Sequence, residues 1–440
     1  MSGGTAARFI RTLHPGHLIS QDVQELPTGD VVSEELQYVL LLFVLFVLPR
    51  ALQRYRLPSA VTCVALGAIA SIGFQGFQHD AAVNLLSTLG IVSLFLFAGL
   101  DVEFHELRKN ARILTQHLVI RVVLLTGVTW MALLLLRLPL QPSILVGLAL
   151  TTPSTGFILD SLNSLGVSAS ERAWIKSKAI ATELVALTVL FVALQPPHLA
   201  SILMSLAVLL GLIAFLPIIF RIFAKVVLPY APKSEFAFLL MVAVFAALVT
   251  RQLGAYYLVG AFIVGITAQR FREHMPAFAS AQMIGAVELF ASFFVPFYFF
   301  HAGLGLRAND FSPNALTLGA AFFAVMIPLR VYLVAVHRRY SLGESLKSGA
   351  RIGLSIAPTL VFTLVIAEIL RDRFGVPQAV FGGLIVYTLA NTLLPGFILR
   401  VVPPAASEVD VPVPEMALAT PDPATPLASW NLPTDPPTQR

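Results

Sequence analysis

Residues 147–155 read GLALTTPST and residues 353–359 read GLSIAPT. Each stretch lies inside a long apolar run and interrupts it with a proline. Proline removes a backbone donor, and its ring clashes with the preceding turn, so a helix containing it kinks or stops. The interrupted backbone then offers free carbonyls and amides, with Thr and Ser hydroxyls beside them. A single proline kink is ordinary in a membrane helix. Two similar interruptions, in spans of opposite direction, occupy corresponding positions of two halves, which points to inverted repeats around a midplane site. The broken-helix positions are Pro153 and Gly156 in one half, Pro358 and Thr359 in the other.

The runs around them decide the class. The chain has 440 residues, of which 57% are hydrophobic and only 12% charged, and its mean hydropathy is +0.82. Thirteen apolar segments are expected, near 36–49, 57–75, 81–100, 113–136, 141–163, 173–195, 198–220, 233–251, 253–269, 281–306, 313–337, 346–370 and 376–400. Such runs read as transmembrane helices. The expected fold is an all-α polytopic membrane protein with inverted repeats and two broken, crossing helices. Residues 1–33 are polar and read as an N-terminal tail. Residues 34–402 form the membrane domain, and the Pro-rich stretch 403–440 reads as a disordered tail. One cysteine, Cys63, excludes a disulfide framework and a Cys-based metal site.

The basic residues orient the spans. Alternate connections hold 19 Lys and Arg on one side (for example Arg50, Lys109, Arg172, Arg270 and Arg338) and 5 on the other (Arg137, Arg251, Arg307, Arg371, Arg373). The basic side is expected to face the cytoplasm. Thirteen spans then place the N-terminus outside and the C-terminus inside. The net charge of +5 reflects this placement and does not indicate nucleic-acid binding.

Ionisable residues at membrane depth are costly and need a reason. Glu183 lies in the sixth segment, roughly 16 Å along the helix from Arg172 at 1.5 Å per residue. Arg330 lies in the eleventh, roughly 12 Å from Arg338 and the same membrane face. Snorkelling accounts for a long Arg side chain. It does not account for a short Glu. Arg330 is therefore read as the charge partner of Glu183. Thr152, Ser154, Thr155 and Thr182 are the candidate oxygen donors around an ion or proton on Glu183. His117, Arg121, Asp160, Glu288, His301 and Glu368 lie toward helix ends or interfaces and are weaker candidates. No His/Asp/Glu spacing suggests a transition-metal site, no cofactor motif is present, and no nucleophile is paired with a base, so an enzyme is not expected.

These features resemble the monovalent cation:proton antiporter-2 family, within the sodium/hydrogen exchanger superfamily. Residues 86–112, LSTLGIVSLFLFAGLDVEFHELRKNAR, are similar to that family's third span and basic loop. RLPSAVTCVALGAI (56–69) is similar to its second span, and FFVPFYFFHAGLGLR (293–307) to its "PLFFxxxG" stretch. Glu183 falls where the family has its ion-binding aspartate, and Arg330 where it has a membrane Lys or Arg. The resemblance covers roughly 36–402. Two departures stand out: Thr182-Glu183 replaces an acidic pair of the Asn-Asp type, and Pro358-Thr359-Leu360-Val361 replaces a charged motif. The resemblance implies a core domain holding the broken helices and segments 4, 6, 11 and 13, moving against a scaffold that makes a homodimer. The Arg-rich, short-looped chain points to a multi-pass protein of a bacterial inner membrane.

One carboxylate suffices for the implied chemistry. Burial disfavours its ionised form and a nearby cation favours it. A proton and a Na⁺ or K⁺ then compete for the same oxygens. An empty charged site is costly to carry across the barrier, whereas a site neutralised by either ion is not. The expected activity is exchange of a monovalent cation for H⁺, one for one. The alternative is sodium-coupled symport of a small organic anion held at the half-helix N-termini.

Overall fold

The computed structural model describes residues 28–399, apart from 75–76, 103, 110, 163–166, 197, 232–233, 254–256 and 273–280. The expected C-terminal tail at 403–440 and most of the N-terminal tail lie outside the described residues. Every regular element among the described residues is helical.

In chain order the helices are α1 (Thr28–Gln53), α2 (Ser59–Ile69, prolonged by a π-helical turn to Phe74), α3 (Ala81–Leu100), α4 (Phe104–Lys109) and α5 (Ala111–Leu135). Next come α6 (Leu140–Thr151), α7 (Thr155–Leu162), α8 (Ala169–Leu194), α9 (Leu199–Ile222), α10 (Glu235–Gln252) and α11 (Tyr257–Arg272). The last are α12 (Ala281–Leu304), α13 (Pro313–Leu342), α14 (Leu346–Ser355), α15 (Leu360–Phe374) and α16 (Gln378–Ile398). Helix α1 begins at Thr28, inside the stretch expected to be a tail.

Ten helical stretches are long and apolar enough to cross a membrane, and the bent pair α14 and α15 makes an eleventh. The remaining two of the thirteen expected segments fall on the shorter apolar helices at Ser59–Gly73 and Tyr257–Phe271. A count of thirteen is thus approximate, because helices this short cross only a locally thinned bilayer.

The helices pack in two groups. Helix α3 lies against α11 and α12, α12 against α2, and α10 against α11. Separately, α13 packs on α14 and α16, α15 on α6 and α16, and α5 and α8 on α6. The second group holds both broken helices. In lipid, helices gain little from hydrophobic burial against one another, so close approach through small residues carries much of the packing. The α2/α12 crossing shows this. A Cβ on Gly67 would lie 2.0 Å from Phe300 O, and one on Gly303 would lie 2.1 Å from Val64 O. The two backbones touch, and only glycine fits.

Candidate functional site: the crossing of two broken helices

Helix α6 ends at Thr151 and α7 starts at Thr155, with Thr152 extended (φ −82°, ψ 121°) between them. Helices α14 and α15 are bent by 53° across residues 356–359. The two breaks are stitched to each other. Ser154 N donates to Pro358 O at 2.9 Å, and Val361 N donates to Ser154 Oγ at 2.9 Å.

Proline explains where the freed groups go. Pro153 has no N–H, so Ala149 O loses its helical donor. Thr363 Oγ1 takes that carbonyl at 2.7 Å. Leu150 O is likewise freed, because Ser154 N has turned to Pro358. Tyr387 OH donates to Leu150 O at 2.8 Å. On α15, Thr359 N donates to Asn391 Oδ1 at 3.2 Å, and Asn391 Nδ2 donates back to Thr359 Oγ1 at 2.9 Å. Thr359 Oγ1 also meets Thr388 and Thr363 hydroxyls at 3.2 and 2.7 Å. All these residues are buried, so each bond satisfies a backbone or side-chain group that water does not reach.

Arg330 sits where the two C-terminal half-helix ends meet. It is 1% exposed. Its NH1 donates to Ala357 O at 2.8 Å, to Tyr387 OH at 3.0 Å and to Leu150 O at 3.4 Å, and NH2 donates to Ile356 O at 3.2 Å. These carbonyls are the negative ends of α6 and α14. Arg330, read from the sequence as the charge partner of Glu183, makes no ion pair with it among the described residues; three helix-end carbonyls and the Tyr387 hydroxyl hold its guanidinium instead.

Glu183, 3% exposed on α8, occupies the opposite pole. Thr155, the first residue of α7, presents its amide and hydroxyl to the carboxylate. The positive end of a helix therefore faces the negative side chain. Thr155 Oγ1 and Glu183 Oε2 nevertheless stay without a hydrogen bond of standard geometry among the described residues. A small pocket opens beside them, lined by Ser154, Thr155, Gly156, Glu183 and Val361 on one side and by Leu94, Phe95 and Ala98 of α3 on the other. The carboxylate thus faces the seam between the two helix groups.

Of the expected oxygen donors, Ser154 and Thr155 reach this pocket. Thr152 is buried in the break and does not line it. Thr182 does not line it either: its hydroxyl donates to Lys178 O at 2.8 Å and lies 3.3 Å from His117 Nε2. Adjacent helical residues point about 100° apart, so Thr182 and Glu183 do not share a face. Pro153, Pro358 and Thr359 sit at the breaks, and Gly156 lies in the first turn of α7 and lines the pocket.

The residues missed are Tyr387, Thr388, Asn391 and Thr392 on α16, together with Thr363. The α16 set carries a readable signal. Polar side chains at i, i+1, i+4 and i+5 form a stripe along an otherwise apolar span.

Two groups of helices, two broken spans crossing at their breaks, and one carboxylate on the seam define a secondary-carrier fold of the broken-helix kind. The profile of the family described as "Sodium/hydrogen exchanger, transmembrane" matches residues 39–402. The chain belongs to that family. It is 23% identical over 377 residues to the Na(+)/H(+) antiporter NhaS5 of Synechocystis sp., covering 82% of this chain and 52% of that protein. The chain therefore spans about half the length of that relative. Among solved structures it is similar to the sodium proton antiporter MjNhaP1 from Methanocaldococcus jannaschii. One structure, at pH 8, gives a TM-score of 0.57 at 14% identity, covering 84% of this chain and 94% of that one. A second, from an electron-microscopy map, gives 0.60 at 16% identity, covering 84% and 95%.

Proposed function

We propose that this chain exchanges a monovalent cation, Na⁺ or K⁺, for H⁺ across the membrane by alternating access, with Glu183 binding cation and proton in turn. The observation that carries the reading is the position of Glu183. It is a buried carboxylate, without a cationic partner among the described residues, on the seam between two helix groups, with Ser154 and Thr155 oxygens at its pocket. Carboxylate and hydroxyl oxygens are the donors a hard cation takes. Arg330 is engaged by carbonyls, so it compensates the helix ends rather than fixing the charge on Glu183. The carboxylate is left free to be neutralised by either ion, and only a neutralised site crosses the barrier at low cost.

Family membership and the Na(+)/H(+) antiporter relative support exchange over symport. The half-helix N-termini argue the same way. That of α15 is occupied by Ser154 Oγ and Asn391 Oδ1, and that of α7 faces Glu183. Neither offers a free positive end to an organic anion. The charge bias of the connections supports a cytoplasmic C-terminus in a bacterial inner membrane. The scaffold group α1–α3 and α9–α12 would supply a homodimer interface.

The test is cation-dependent proton flux in proteoliposomes, for wild type and Glu183→Gln side by side. Exchange predicts flux with Na⁺ or K⁺ in the wild type and none in the variant. Flux that survives Glu183→Gln would remove Glu183 as the carrier.

A further inference from the structure

Between α5, α8 and α13, nearer the basic face than Glu183, lies a second cluster of polar side chains that exchange does not use. The Trp174 indole is its centre. Lys178 Nζ stands 5.5 Å from the ring centroid and the Arg338 guanidinium 4.4 Å. The His117 and His337 rings flank the indole at 6.0 and 6.4 Å, and lie 5.9 Å from each other. Lys178, His337 and Arg338 are only 2%, 6% and 2% exposed. Among the described residues one carboxylate reaches them: Glu344 accepts from Arg338 Nε at 2.9 Å and from NH2 at 2.5 Å.

That single acid leaves an excess of donors. Among the described residues, Lys178 Nζ, Arg338 NH1, Trp174 Nε1 and both His337 nitrogens make no hydrogen bond. The ionisable groups whose charge acts on Lys178 and the two histidines are Arg338, Arg121, Lys178 and His337 themselves, all cationic when charged. Cations held this way away from water raise the free energy of the fold unless an anion stands among them.

We propose that this cluster binds a tetrahedral oxyanion of the phosphate class, either free phosphate or the phosphate monoester headgroup of a lipid. An ammonium, a guanidinium NH1 and an indole N–H are the unpartnered donors around this one ring. Phosphate supplies several acceptors, and charge-assisted bonds of this kind are the strong ones. Chloride offers one spherical acceptor and does not match a divergent donor set. Trp174 is half-buried, so its indole keeps some access to the outside of the helix bundle. Arg338 lies four residues from the end of α13, at the depth a headgroup reaches. The site is distinct from the exchange pocket. Lys178 precedes Glu183 by five residues on α8, roughly 7.5 Å along the axis, and the Thr182–His117 contact lies between them.

The test is equilibrium binding of radiolabelled inorganic phosphate to the full chain in phosphatidylcholine nanodiscs, at constant ionic strength. The expected result is saturable binding that sulfate displaces and equal chloride does not. Lys178→Met should weaken it about tenfold, the value of one charge-assisted bond. Trp174→Phe keeps the ring and loses the N–H, so it should weaken binding severalfold while guarding against misfolding as the cause. If free phosphate does not bind, nanodiscs containing phosphatidic acid should raise the melting temperature of the wild type and not of Lys178→Met, which assigns the lipid as the source. Absence of both effects, or effects equal in the wild type and both variants, overturns the proposal.

Discussion

Arg330 and Tyr387 form one relay between the two broken helices. Arg330 NH1 donates to Tyr387 OH at 3.0 Å, and the phenol donates to Leu150 O at 2.8 Å. The same NH1 reaches Ala357 O at 2.8 Å. One cation thereby serves the carbonyl ends of α6 and α14, whose dipoles both point their negative poles at it. A basic residue at this depth is explained without an acidic partner, and Glu183 is left free of a fixed counter-charge.

Stability should follow that relay. Tyr387→Phe removes one buried hydrogen bond and should cost about 1 kcal/mol, with somewhat more if Leu150 O stays unsatisfied. Arg330→Leu strips several helix-end carbonyls of their donor and should cost about 3 kcal/mol or more. Arg330→Lys should fall between, because an ammonium keeps the charge but not the planar fork. Thermal unfolding of the purified chains in detergent ranks the three. Equal losses for Tyr387→Phe and Arg330→Leu would remove the helix ends as the reason for the arginine.

Cation affinity should divide the hydroxyls by position. Thr155 lines the pocket and Thr182 does not. Thr155→Val should raise the cation concentration needed for half-maximal flux severalfold, and Thr182→Val should leave it within about twofold. Ser154→Ala should weaken cation dependence and also destabilise by about 1–3 kcal/mol, since it orphans the buried Val361 amide. The concentration dependence of flux in proteoliposomes separates these cases.

The α2/α12 crossing should tolerate no side chain. A Cβ on Gly303 meets Val64 O at 2.1 Å and Ala68 N at 2.9 Å, both backbone. Gly303→Ala should therefore cost at least about 1–3 kcal/mol, the usual range for overpacking. Gly127→Ala is the control, because a Cβ there meets nothing within 4 Å. Melting temperatures of the two variants check this directly.

Much of this arrangement was legible in the sequence because membranes penalise exceptions. Pro153 and Pro358 interrupt apolar runs, and Glu183 and Arg330 are charges where charges are costly, so each stood out one residue at a time. Their relation was not legible. Depth along a helix can be counted from Arg172 or Arg338, but the face of the helix cannot be paired across helices without the packing. Glu183 and Arg330 share a depth and yet bind opposite helix ends. Thr182 was read as a site oxygen because it adjoins Glu183, although adjacency in a helix separates directions. The polar stripe of Tyr387, Thr388, Asn391 and Thr392 was visible on α16, but its role was not, because the carbonyl and amide that Tyr387 and Asn391 serve lie on other helices.

The seam between the two groups offers a last test of movement. Lys176 Nζ on α8 lies 3.0 Å from Asp101 Oδ1 at the end of α3, with the two side chains 25% and 26% exposed. A pair this exposed adds roughly 0–1 kcal/mol to stability, so Asp101→Asn should hardly change the melting temperature. The pair nevertheless joins the group carrying Glu183 to the scaffold, and it exists only while they keep this relation. Its loss should shift the balance of conformations by up to about fivefold, the equivalent of roughly 1 kcal/mol. Ala98 lines the pocket from α3, and the single native cysteine, Cys63, is buried. Ala98→Cys in a Cys63→Ala background therefore reports access to the seam through its rate of modification by a membrane-impermeant thiol reagent. Asp101→Asn should change that rate several-fold, and high salt should change it in the same direction by screening the pair. The exchanged pair Asp101→Lys with Lys176→Asp should restore the original rate. Rates unmoved by Asp101→Asn and by high salt would mean that α8 and α3 do not separate in the transport cycle.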